Sequence, residues 1–335
     1  YIPGPVRNRS SKNMHGSSKD PRPLYKPHVN DVRYRFHNVQ SIREKIFRRQ
    51  YLQTARLHCE VLGLAEVNCS DADEMESWAK DWPASGGVYY STSHYQPNRG
   101  SSARGVAIFL ASSLGKTNAS CIWRDPLGRG IAIRADIHTR PTVIVLFHAD
   151  CDSDSGQAAS YDSLRENVPL IKECDYVWML DANNVVDVSR DAHNDRGRDT
   201  TEGMTRGVTS MLSCAAKWGG ESGHLTDAFR QLYPERREFT RSASRHGAVT
   251  RRRIDRILVS PRCLRRNATP FVERVTHVWP TDEDMIALQR LGSHSKWSDH
   301  AAVQLTMRYS DTPRPPKLWK FPGHVAPISE RLRFR

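Results

Sequence analysis

Hydrophobic positions in this chain fall into short runs rather than one long period. GVAIFLA (105–111), GIAIRADI (130–137), PTVIVLFHA (141–149) and YVWMLDAN (176–183) are apolar and rich in β-branched residues. Bordered by Gly, Pro or polar residues, they read as buried strands. VLGLAEV (61–67), RRIDRILVS (252–260) and AAVQLTMRY (301–309) read the same way, and 86–92 is strand-like. VRYRFHN (32–38) alternates and ends on polar residues, which predicts another strand. Between these runs, 41–57 suits an Arg-rich amphipathic helix, and 76–82, 161–174, 207–217 and 225–234 predict further helices. Many strands interleaved with helices predict an α/β sandwich. No repeat of 20–50 residues is visible.

Composition narrows the class. The chain has 335 residues, 38% hydrophobic and 26% charged, enough for one large domain or two ordinary ones. No apolar run approaches the roughly 18 residues needed to span a bilayer, so no membrane partner is expected. The chain is too long and mixed for a disulfide mini-protein or a wholly disordered tail. Its seven cysteines are odd in number, widely spaced and without C-x-x-C. That argues against a zinc site or disulfide framework and for a reducing intracellular compartment, mitochondrial matrix or nucleus. No hydrophobic signal segment is visible, and a first residue of Tyr1 leaves open a trimmed or partial chain.

The net charge of +13 points to a polyanionic partner, most simply nucleic acid. The excess is uneven. Residues 1–30 hold six Lys/Arg against one acid, and residues 309–335 hold six against two. Nine of the thirteen excess charges therefore sit in two Pro-rich extensions, around a nearly balanced 31–308 domain. Such segments cannot bury enough surface to order themselves, so an outside partner would have to order them.

Four strand boundaries carry polar groups in apolar settings: Asn38, Glu66, Asp181 with Asn183, and Asp299 with His300. A carboxylate at the end of a buried strand is costly unless it is paired or binds a cation. Several converging carboxylates and amides make an oxygen-rich site suited to Mg²⁺. Phosphodiester hydrolysis needs a metal, a positioned water and donors to the phosphate oxygens.

In order, FHNVQS, GLAEVN, LDANN, RRRIDRILVS and WSDHAAV resemble the endonuclease/exonuclease/phosphatase superfamily over about residues 31–308. Within it, RGVAIFL, LTDAFRQLYPERREFT, RRRIDRILVSP and LWKFP resemble the endonuclease domains of LINE-type retrotransposons. The resemblance implies a four-layered α/β sandwich, with two packed mixed sheets flanked by helices. It implies Mg²⁺, or Mn²⁺ in its place, held by Glu66 and Asn38 with Asp299 in the metal shell. Asp181 would activate water, Asn183 would bind the scissile phosphate, and His300, oriented by Asp255, would stabilise the transition state. The family's Tyr or His that aids leaving-group departure matches His148, or Cys151 in an alternative register. The sequence departs from the family at Leu180, where Gly is usual, at Gln40, where Asp or Asn is common, and at Ala65, where Gln is common.

Segment 236–256 holds eight arginines, among them Arg241, Arg245, Arg251, Arg252 and Arg253, expected to touch phosphate. Tyr89, Tyr90, Tyr95, Trp123 and Trp297 are candidates for base stacking. The favoured function is a Mg²⁺-dependent endonuclease acting on DNA. The alternative is a repurposed RNA-binding subunit of a large ribonucleoprotein such as a divergent mitochondrial ribosome, its extensions buried against RNA and neighbouring proteins. A phosphatase or sphingomyelinase of the same superfamily fits the basic extensions less well.

Overall fold

The computed structural model describes residues 30–309 apart from 83–84, 93, 97–100, 196–204, 221–222, 246–247, 266, 282–283 and 285–296. Both basic extensions, apart from Asn30 and Tyr309, lie outside the described residues.

The strands in chain order begin with β1 (Asp31–Asn38), β2 (Val61–Ala65), β3 (Ser85–Ser91), β4 (His94–Gln96), β5 (Ser101–Ala103) and β6 (Val106–Ala111). There follow β7 (Ser120–Arg124), β8 (Gly130–Ile137), β9 (Arg140–His148), β10 (Asp175–Asp181), β11 (Ala192–Asn194) and β12 (Thr226–Asp227). The last are β13 (Arg241–Arg245), β14 (Ala248–Arg252), β15 (Asp255–Val259), β16 (Phe271–Val278) and β17 (Ala302–Arg308). The helices are α1 (Lys45–Arg56), α2 (Ala72–Ser77), α3 (Asp154–Asn167), α4 (Val188–Asp191), α5 (Arg206–Gly219) and α6 (Ala228–Leu232).

Two six-stranded mixed sheets dominate, in the orders β16-β17-β1-β2-β6-β3 and β12-β15-β10-β9-β8-β7. Each contains one parallel pair, β1–β2 in the first and β9–β10 in the second. A three-stranded sheet, β11-β14-β13, and the β4–β5 pair complete the set.

Three apolar clusters stack the layers. Val32, Tyr34, Phe36, Ile144, Met179 and Ile257 belong to the one between the sheets. Phe47, Leu52 and Met75 from α1 and α2 pack on the outer face of the first sheet. Tyr161, Leu164, Met211 and Trp218 from α3 and α5 pack on the outer face of the second. Central strands are therefore covered on both faces, which is why VLGLA and DRILV are buried at every position. At Gly63 the sheets approach so closely that a Cβ would lie 2.7 Å from Met179 Cε.

Helix boundaries differ from expectation where caps and prolines decide. The helix expected over 161–174 runs Asp154–Asn167 instead. Ser153 caps its start by accepting from the Gly156 N–H, and Pro169 bars continuation. Likewise the helix expected over 76–82 begins at Ala72 behind an Asp71 cap and runs on as a 3₁₀ turn, Trp78–Lys80. β7, β13, β14 and β16 carry too many polar residues to read as strands. SCIWR and FVERVTHV are only partly buried, and the strands containing them are sheet edges. No helix among the described residues is long and apolar enough to cross a membrane.

Candidate active site

Strand alternation carries the polar residues into the gap between the sheets. Successive side chains point to opposite faces, so residues two apart share a face. Asn38 shares its face with Phe36 and Tyr34, and Asp181 with Met179 and Val177. Asp255 likewise shares its face with Ile257 and Val259, and His148 with Leu146 and Ile144. Register then brings these ends together. Asn38 pairs with Ala65, the residue before Glu66. Asp181 stands beside His148 on one side and Asp255 on the other. Both parallel pairs end at the same edge of the sandwich.

The contacts across that edge are direct. Asn38 Nδ2 donates to Glu66 Oε1 and to Asp181 Oδ2, each at 2.8 Å. His148 Nε2 is 3.0 Å from Glu66 Oε1 and 3.8 Å from Asp181 Oδ2. His300 Nδ1 donates to Asp255 at 2.9 Å and lies 4.0 Å from Asp181 Oδ2, while its Nε2 faces Asp299 Oδ1 at 3.5 Å. Asn183 donates its backbone N–H to Asp181 Oδ1 at 2.9 Å and its side-chain amide to Ala149 O at 2.8 Å. The structure thus brings together Asn38, Glu66, His148, Asp181, Asn183, Asp255, Asp299 and His300. Cys151, by contrast, is exposed, with Asp152 at 3.9 Å from its thiol.

Two of these residues occupy the left-handed backbone region, Glu66 at φ +53° and Asn183 at φ +48°. Such positions cost on the order of 1–3 kcal/mol for a residue with a side chain and persist only when neighbours hold them. The turn after β10 is held by α3. Tyr161 OH donates to Ala182 O at 3.1 Å, and Gln157 Nε2 reaches the carbonyls of Ala182 and Asn183. The turn after β2 is held by Val67 N–H to Gly105 O and Asn68 N–H to Arg104 O.

Burial and charge oppose each other throughout. Burial would raise the Glu66 carboxyl, but the His148 contact and the Asn38 amide outweigh it and hold the group down at about 2. Burial disfavours the His300 cation, yet Asp255, Asp181 and Asp299 outweigh it and raise the imidazole to about 9. His148 is raised in the same way, against burial, by Glu66 and Asp181. Burial raises Asp255 despite the neighbouring imidazole. Glu66, His148 and Asp181 offer ligand atoms within 4.8 Å of one another, and so do Asp181, Asp255 and His300. This donor set is dominated by carboxylate oxygen, suited to a hard divalent cation.

The arginine segment divides. Arg252 is exposed and borders a cavity of about 380 Å³ that also touches Asn183. Arg241 donates to Asp299 Oδ2 at 3.1 Å, and Arg251 lies 3.7 Å from Asp195. The side chain of Arg245 lies outside the described residues. Arg253 does not fit the expected role in nucleic-acid contact. It is 1% exposed and ion-paired with Asp191 at 2.9 Å and Asp227 at 2.7 Å, so it has no face to offer phosphate. Among the aromatic candidates, Tyr90 is buried, Tyr89 and Trp123 pack against the cores, and Tyr95's side chain lies outside the described residues.

Gln40, which stands where the family commonly has Asp or Asn, donates to Asp299 Oδ1 at 2.5 Å. One residue was missed. Thr240 Oγ1 accepts the N–H groups of Ile254 and Asp255 at 3.1 and 3.0 Å, and no pattern in the sequence marks it.

The model of the "Endonuclease/Exonuclease/phosphatase family" matches residues 36–300. No match is found among curated proteins. Similar solved structures include the AP endonuclease LMAP from Leishmania major, 16% identical with a TM-score of 0.59, covering 85% of this chain and 90% of that one. TDP2 from D. rerio complexed with single-strand DNA product is 13% identical with a TM-score of 0.54, covering 83% and 99%. The 3′ phosphatase NExo from Neisseria bound to product DNA hairpin is 18% identical with a TM-score of 0.52, again covering 83% and 99%. At these identities the structures speak to the fold.

Proposed function

Because the chain belongs to the endonuclease/exonuclease/phosphatase family, we propose that it is a divalent-metal-dependent phosphodiesterase that cuts nucleic-acid backbone, with Mg²⁺ as the ion and DNA as the substrate. One observation carries this reading. Residues from six separate strand ends, in two sheets, converge at one edge: Asn38, Glu66, His148 and Asp181 in direct contact, and the bonded His300–Asp255 pair 4.0 Å from Asp181. Similar structures solved with DNA product support nucleic acid as the substrate class.

The donor set fits a hard cation. Glu66 is 29% exposed in its side chain and bonds its neighbours through Oε1, leaving Oε2 without a protein partner among the described residues. Glu66 and Asn38 would hold the ion, with Asp299 beside them, and the bound ion would offset charge on the phosphoryl oxygens.

The remaining roles belong to this chain's own groups. Asp181, held by two donors, accepts a proton from the attacking water. Asn183 presents its amide to the scissile phosphate. His300, charged and held at Nδ1 by Asp255, has Nε2 on the Asp299 side to donate to a phosphate oxygen. His148, also favoured in its charged form, can pass a proton to the leaving oxygen. Arg252, Arg251 and Arg241 line the approach for the backbone.

Residues 31–308 would form the catalytic unit. Retrotransposon ancestry rests on the LINE-like segments of the sequence. The ribonucleoprotein reading rests on the extensions, which, apart from Asn30 and Tyr309, lie outside the described residues.

The test is nicking of supercoiled plasmid with and without Mg²⁺, comparing the intact chain with Glu66→Ala and His300→Ala. Metal-dependent nicking lost in both variants is expected. Equal nicking by the variants, or none that depends on metal, overturns the reading.

A further inference from the structure

A second concavity, of about 460 Å³, lies on the outer face of the first sheet. Pairing of β16, β17 and β1 sets its floor in rows. Arg33, Thr306 and Arg274 form one row, and Arg35, Gln304 and Thr276 the next. Elsewhere this face packs against α1 and α2 through apolar side chains, but here it carries guanidinium, amide and hydroxyl groups. It is therefore not a gap in the core.

The positive groups are only partly used. Arg33 is committed to Glu60 at 2.5 Å. Arg35 spends Nε and Nη2 on one acceptor, Gln304 Oε1, at 3.1 and 2.5 Å, which leaves Nη1 without a partner among the described residues. Arg274, half-buried, has no hydrogen bond or ion pair to a described residue. Asp284 lines the cavity too, but it is engaged by the N–H and hydroxyl of Thr281, each at 2.8 Å. The walls are aromatic. Tyr51 and Trp297 stand on one side, and Trp279 is 40% exposed. Trp297 Nε1 has no hydrogen-bond acceptor among the described residues.

We propose that this cavity binds a nucleotide unit, its phosphate held by Arg35 and Arg274 and its base against Trp279 or Trp297. Arginine forks suit phosphate, and aromatic faces stack any base. The volume falls within the range of small-ligand sites, about 300–1,000 Å³. The chain's own extensions are poor occupants, because both are strongly basic. A free mononucleotide and the phosphorylated end of a strand present the same chemistry. The cavity is separate from the carboxylate cluster, since Arg35 and Asn38 point to opposite faces of β1. It is nevertheless close to it. His37 bonds Tyr51 OH at 2.8 Å on one side and His300 O at 3.1 Å on the other.

Calorimetry on the full chain in EDTA tests the assignment, since the carboxylate site is then without metal. The probes are AMP, adenosine, inorganic phosphate, and single strands with and without a 5′-phosphate. Saturable binding is expected for AMP or for the phosphorylated strand, weaker by about tenfold in Arg274→Ala and in Arg35→Gln. Glu66→Ala should bind as the unaltered chain does. Binding by AMP identifies a free nucleotide as sufficient, and binding by the phosphorylated strand alone identifies a strand end. Arg274→Lys, which keeps the charge, should retain part of the affinity and guards against a folding defect. Absence of saturable binding by both ligands overturns the proposal. So does undiminished affinity in both arginine variants with unchanged melting.

Discussion

His300 and Asp255 face each other from different sheets, Nδ1 2.9 Å from Oδ2 and 3.0 Å from Oδ1, with both side chains almost wholly buried. His300 precedes β17 of the first sheet, and Asp255 opens β15 of the second. The contact therefore depends on the two sheets being packed correctly, and it leaves Nε2 on the side of Asp299.

Asp255→Asn keeps the shape and removes the charge that holds His300 up at about 9. The imidazole should titrate nearer its ordinary 6.5, and phosphodiester cleavage at neutral pH should fall by about a hundredfold or more with KM little changed. Proton NMR of the imidazole alongside steady-state rates checks both. An unchanged titration with unchanged rates would exclude the role given to this pair.

Glu66→Gln should act on ion binding rather than on folding, since its side chain is 29% exposed at the sheet edge. Calorimetric affinity for Mg²⁺ should fall by more than the roughly tenfold to hundredfold that disturbing a supporting partner costs. The thermal midpoint of the metal-free protein should hold. Mg²⁺ affinity equal to that of the unaltered chain would place the ion elsewhere.

Arg252 and Arg253 are neighbours in sequence with opposite roles. Arg252→Ala should leave stability within about 0.5 kcal/mol and lower the salt dependence of DNA affinity by about one ion. Asp191→Ala leaves buried Arg253 and Arg256 with Asp227 as their remaining carboxylate partner, and should cost about 3–5 kcal/mol in urea denaturation. A steep stability loss in Arg252→Ala, or none in Asp191→Ala, would contradict this division.

His37 is buried, and that burial drives its pKa from 6.5 down to about 3, against the hydrogen bond it donates to His300's carbonyl. It is therefore neutral in the fold. Its contribution is complete above pH 6.5 and is lost as pH falls toward 3, because the unfolded chain takes up a proton that the folded one refuses. The stability advantage of the unaltered chain over His37→Asn should shrink between about pH 7 and about pH 4. Denaturation midpoints at several pH values test this, and a constant difference would rule it out.

The apolar runs and their polar ends were readable in the sequence because a strand covered on both faces must be apolar along its length. GIAIRADI is a strand with the expected bounds, and Glu66, Asp181 and His300 stood out as charge at the end of such runs. Edge strands were not readable, because β16 and the β13–β14 hairpin meet water on one side and carry polar residues freely. Nor could local pattern separate Arg252 from Arg253, since which arginine is buried depends on where Asp191 and Asp227 stand, 62 and 26 residues away from Arg253 in the chain. The same holds for His148 over Cys151, and for Thr240 beneath Asp255. The sequence determined which residues could do chemistry. Only packing of one sheet on the other decided which of them meet, because a hydrogen bond needs its partners within about 3 Å and that distance is set between strands, not along them.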